Sequence, residues 1–161
     1  MPRLFRWLAV LSALLAALLL VSRSVQAQYP DFSGDWKLNP ARSNFGSFPA
    51  PAGINRKITQ DGVKLSMTIV QTGPQGETTS QFTYTTDGKP VTNKVQGGES
   101  KGSAQWIGDK LMIESSREVQ GAVLTQKDIW TLSPDKRTLT IDSRVTVPNG
   151  GFDVKQVFEK Q

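Results

Sequence analysis

From Ile54 onward the chain alternates apolar and polar residues with a period of two, and a turn signal interrupts it about every ten residues. Val63, Leu65, Met67 and Ile69 alternate with Lys64, Ser66 and Thr68. Leu111, Ile113, Ser115 and Arg117 do so against Met112, Glu114 and Ser116, and Leu139, Ile141, Ser143 and Val145 against Thr140, Asp142 and Arg144. Only an extended strand keeps such a stripe on one face. The interruptions are turn-forming: Asp61-Gly62, Gly73-Pro74-Gln75-Gly76, Asp87-Gly88, Gly97-Gly98, Gly108-Asp109, Gln120-Gly121, Ser133-Pro134-Asp135 and Asn149-Gly150-Gly151. With Gly34–Leu38 counted as the first, the pattern predicts ten strands in an all-β, antiparallel up-and-down meander. So long a meander with one apolar face is stabilised by rolling into a β-barrel, which removes exposed edges. A half-closed sheet or a two-sheet sandwich is the structural alternative.

The segments outside this pattern have other signatures. Arg3 and Arg6 precede an apolar run of 15 residues, Trp7 to Val21, and Val25-Gln26-Ala27 places small residues at −3 and −1 of a cleavage site. A membrane span needs roughly 20 apolar residues, so residues 1–27 are expected to be a signal peptide and residues 28–161 a single exported domain, periplasmic or extracellular. Removing Arg3, Arg6 and Arg23 lowers the net charge from +5 to +2. The remaining charges are scattered in sign, so neither nucleic acid nor a membrane span is expected, and the mature protein is expected to be a monomer. Residues 39–53 contain three prolines and two glycines. They predict an irregular loop with at most a short turn, carrying Phe45 and Phe48.

The chain has no Cys and no His. Disulfides, Cys/His nucleophilic chemistry, the Ser-His-Asp triad and ordinary zinc sites are thereby excluded. No carboxylate pair suited to glycoside hydrolysis, acidic cluster for calcium or phosphate-binding loop stands out. A non-enzyme without a cofactor or metal is the expectation.

The first strand carries Phe32-x-Gly34-x-Trp36, in which glycine admits a neighbouring segment and the indole closes a barrel floor. This motif at the head of a hairpin meander resembles the calycins, the lipocalin and fatty-acid-binding-protein group, and among them the lipocalin-like proteins that bacteria export. The resemblance implies an antiparallel barrel whose interior holds a small hydrophobic or amphipathic molecule. Ten strands match the fatty-acid-binding branch better than the eight-stranded lipocalins. The proline-rich residues 39–53 leave no place for that branch's helical lid, and the last strand leaves none for a lipocalin C-terminal helix.

Strand parity sends several polar residues inward with the apolar ones: Arg56, Gln71, Ser80, Asn93, Ser115, Arg117, Gln126, Asp128, Ser143 and Gln156. The turns predict Ser115 opposite Gln126, Ser143 opposite Gln156 and Gln71 near Thr78, a polar layer towards one barrel end. Leu65, Tyr84, Leu111, Trp130, Leu139, Ile141 and Phe158 line the other end. A guanidinium inside a barrel needs an anion. Asp128 is one internal answer for Arg56 and Arg117, and a ligand carboxylate is the other; Arg117, near its strand end, also has a route to solvent. The candidate ligand-binding residues are Arg56, Tyr84, Trp106, Arg117, Gln126, Trp130 and Gln156, with core packing as the competing role for both tryptophans. Two functions stay open: a carrier of a hydrophobic or amphipathic, carboxylate-bearing ligand, and a structural or protein-interaction module of the cell envelope with a filled core.

Overall fold

Residues 29–74 and 76–161 are described by the structure, a computed structural model; the expected signal peptide lies outside them. Ten strands follow one another: β1 (Gly34–Leu38), β2 (Gly53–Asp61), β3 (Lys64–Gly73), β4 (Gly76–Thr85), β5 (Val91–Val95), β6 (Gly98–Ile107), β7 (Lys110–Val119), β8 (Ala122–Leu132), β9 (Thr138–Val147) and β10 (Gly150–Lys160). All pairings are antiparallel, in the order β4-β3-β2-β1-β10-β9-β8-β7-β6-β5. The pairing of β1 with both β2 and β10 wraps the meander into a nearly closed barrel.

Parity decides what faces inward. Leu139, Ile141, Ser143 and Val145 are all buried on β9 while Asp142 and Arg144 are exposed. The best-packed layer sits at the end where β1 begins, with Trp36, Leu65, Leu111, Trp130, Leu139 and Phe158 at most 1% exposed. Gly34 takes φ +140°, and a Cβ there would lie 2.7 Å from Lys160 Cε. That Lys160 ammonium sits 5.3 Å from the Trp36 ring centre. The indole donates to the Phe32 carbonyl at 2.9 Å, which satisfies its one polar atom.

The same end is covered by residues 29–33. Gln60 holds this segment twice, accepting from Phe32 N (3.2 Å) and donating to the Pro30 carbonyl (3.1 Å). Phe32 then meets Trp130 edge-on at 5.6 Å, and Tyr29 stacks on Trp106 at 4.5 Å. At the opposite end residues 39–53 form the expected irregular segment, with one 3-10 turn at Pro40–Arg42. Asn44 pairs with Lys155, so the segment runs along β10 before Phe48 reaches Phe152 at 4.6 Å.

Two details differ from the sequence expectation. Ser115 lies opposite Gln126 and Gln71 opposite Thr78, as the turns predict, but Ser143 lies opposite Val154 and Gln156 opposite Ile141. The β9–β10 turn is Pro148-Asn149, because both glycines belong to β10. Gly150 takes φ +144°, and a Cβ on Gly151 would sit 2.7 Å from the Val145 carbonyl oxygen. The register moves by two residues, so parity survives and both polar side chains still face inward. Closure is also incomplete: β4 and β5 are neighbours without a backbone ladder. Across that seam Thr83 N donates to the buried Asn93 side chain, Oδ1, at 2.8 Å.

Candidate functional site

Between the apolar floor and residues 39–53 the barrel is hollow. An inner cavity of about 220 Å³ adjoins a wider mouth of about 700 Å³, and Ile54, Arg56, Gln71, Gln126 and Gln156 line both. Met67, Ile69, Phe82, Tyr84 and Ile113 supply the apolar wall of the inner part. Phe45, Phe48, Pro49, Pro51 and Phe152 surround the mouth. Ser80, Ser100, Ser115 and Asp128 make much of the rest of the inner lining polar, so the space grades from a mixed interior to a mainly apolar mouth.

Arg56 is common to both parts. It shares an inward face with Ile54 and Ile58, two buried residues of β2. It keeps some accessible surface because it faces the cavity, yet its guanidinium lies deep in the barrel. Nη2 donates to Gln156 Oε1 at 2.9 Å, and Nη1 lies 3.9 Å from Met67 Sδ. The buried Nε has no hydrogen-bond partner among the described residues. The Phe158 ring lies 4.9 Å below the guanidinium carbon and the Trp130 ring 5.9 Å away, which offers the cation an aromatic face. Burial lowers the Arg56 pKa to about 10, against a smaller opposing pull from Asp128. The group is thus charged at neutral pH but poorly solvated.

Asp128 is the counter-charge in the same cavity. Gln126 Nε2 donates to its two oxygens at 2.9 and 3.1 Å, and Ser143, directly opposite on β9, adds a hydroxyl. Burial nevertheless pushes the Asp128 carboxyl above its ordinary range. Among the described residues the ion pairs join Arg42 to Glu159, Lys89 to Asp87, Lys127 to Glu114 and Arg144 to Asp153, and none joins Arg56 to Asp128. The two interior charges attract through space while each is held by its own glutamine. Tyr84, 3% exposed, has its phenol pushed up to about 12 by burial and then by the Asp128 charge, so it stays a neutral donor.

Of the sequence-derived candidates, Arg56, Tyr84, Gln126 and Gln156 come together around the inner cavity, with Asp128 among them. Arg117 touches the cavity only from its outer rim and is itself exposed, because it lies two residues from the end of β7. Trp130 is completely buried in the floor beneath Arg56, and Trp106 is stacked under Tyr29 and Phe32 at the closed end. Neither tryptophan lines the cavity; the covering by residues 29–33 puts Trp106 into a packing role. The wall residues Ile54, Met67, Ile69, Phe82 and Ile113 are not among the sequence-derived candidates, although the parity of β2, β3, β4 and β7 points to each.

No protein-family model and no curated protein sequence matches this chain. Solved structures do. A secretory abundant heat soluble (SAHS) protein from Ramazzottius varieornatus is 16% identical over 80% of this chain and 94% of its own, with a TM-score of 0.60. The zebrafish ileal bile acid-binding protein, complexed with cholic acid, is 19% identical over 81% and 98%, with a TM-score of 0.51. A Schistosoma mansoni fatty acid binding protein in complex with arachidonic acid is 16% identical over 81% and 96%, with a TM-score of 0.50. The fold is a ten-stranded, calycin-like up-and-down barrel.

Proposed function

We propose that the mature chain is an exported, non-catalytic carrier that holds a hydrophobic or amphipathic molecule with a carboxylate, or similar anionic group, in the barrel lumen. Arg56 carries this reading. A buried, charged guanidinium with an unpartnered Nε and no ion pair costs several kcal/mol in an apolar interior, and an incoming carboxylate offsets that cost through charge-assisted hydrogen bonds. Arg56 lies where the inner cavity meets the mouth, so the acid group of a guest would sit inside while its apolar part packs towards Phe45, Phe48 and Phe152. The zebrafish and Schistosoma barrels were solved with cholic and arachidonic acids, which supports an acid as guest here. Export rests on the charge, apolar run and Val25-Gln26-Ala27 of residues 1–27.

Mass spectrometry on the exported protein tests both parts. The intact mass should correspond to a chain starting at Gln28, and organic extraction of the natively purified protein should release an amphipathic acid in near-stoichiometric amount. A chain that retains residues 1–27 in the membrane fraction contradicts export. No extractable acid, together with no binding of fatty or aromatic acids, moves the reading to an envelope interaction module.

A further inference from the structure

Arg56 and Asp128 share one cavity without pairing, and each has binding capacity left. Arg56 has five N–H donors, of which one meets Gln156, one points at a thioether and Nε meets nothing among the described residues. The Asp128 carboxylate accepts about four hydrogen bonds, and among the described residues the Gln126 amide and the Ser143 hydroxyl reach it. The lumen therefore offers an unfilled donor set on β2 and an unfilled acceptor on β8. A plain acid fills the first and leaves the other open. A guest with a hydroxyl as well fills both.

We propose that the guest is a hydroxy acid: its carboxylate is bound by Arg56 and its hydroxyl donates to Asp128, which makes Asp128 the residue that selects against unsubstituted acids. This rests on the carrier reading above and specifies its ligand class. Tyr84 and Gln126 line the same cavity as Asp128, and the Gln126 amide is bonded to it.

The test uses decanoic acid, 2- and 3-hydroxydecanoic acid and decan-1-ol, titrated calorimetrically into the mature wild-type protein, Asp128→Leu and Asp128→Asn. In the wild type at least one hydroxydecanoic acid should bind about tenfold or more tighter than decanoic acid, as expected for a hydrogen bond to a charged group. Asp128→Leu should abolish the preference while decanoic acid binds as well or better. Asp128→Asn keeps the shape and a neutral acceptor, and should reduce the preference if the leucine variant fails to fold. Equal binding of decanoic and both hydroxydecanoic acids by the wild type overturns the selection by Asp128 and leaves the acid carrier standing. Decan-1-ol binding as tightly as every acid overturns the carrier reading and this inference together.

Discussion

At the scale of single residues, depth separates two arginines that parity treats alike. Arg56 lies in the middle of β2 beneath the mouth, whereas Arg117 ends at the rim in solvent. Arg117→Gln should therefore change the affinity for an acid ligand by less than about fivefold, since exposed charges contribute at most about 1 kcal/mol and commonly nothing measurable. Fluorescence titration checks this. Asp128 carries the pH signature. Its folded pKa is raised by burial, so the native state holds the proton more firmly than the unfolded chain, whose carboxyl titrates near 3.8. The stabilisation from that proton is complete below 3.8 and is lost as pH rises through the higher folded value. Denaturant unfolding of wild type and Asp128→Asn across acid pH should show the wild type losing stability relative to the variant as pH rises. Parallel curves would mean that Asp128 titrates normally. Arg56 acts in the opposite direction: with a folded pKa lowered to about 10, it adds stability only as pH rises through that value.

At the scale of elements, β1 is the short strand on which closure depends. Trp36 fills the floor, bonds to the Phe32 carbonyl and sits under Lys160. Trp36→Ala should cost about 3–5 kcal/mol in equilibrium denaturation, the range for buried aromatic truncations; a loss below about 1 kcal/mol would place the residue among ordinary surface sites. The β4/β5 seam is a weaker join, since a side chain replaces the backbone ladder there. Asn93→Ala leaves the Thr83 N–H without its acceptor and should cost about 1–3 kcal/mol. Faster hydrogen exchange at Thr83 should accompany it, and unchanged exchange would mean that the seam is held elsewhere. Strands and turns were legible in sequence because period two and Gly/Asp punctuation are local signals. Neither the seam nor the β9–β10 register was legible. Which strands close a barrel is a long-range outcome, and Gly150-Gly151 looks like a turn until the Val145 carbonyl is seen packed against it.

At the scale of the molecule, the barrel has a sealed end and an open one. Residues 29–33 and Gln60 close the first, while Phe45, Phe48 and the prolines border the second. The site was legible in part: strand parity put Arg56, Gln126, Asp128 and Gln156 inside, because side-chain direction alternates regardless of context. Parity also put Trp130 in the apolar layer at the floor, but it could not reveal that Tyr29 and Phe32 cover Trp106, which depends on how the N-terminal segment crosses the barrel end. The central claim is that the lumen holds an amphipathic acid through Arg56. Calorimetric titration of decanoic acid and decan-1-ol into wild type and Arg56→Gln tests it most directly. The account predicts that the wild type prefers the acid and that the variant loses roughly tenfold to hundredfold in acid affinity, the range of a charge-assisted hydrogen bond, with the alcohol unaffected. Equal losses for acid and alcohol, or acid binding that survives Arg56→Gln undiminished, would contradict it.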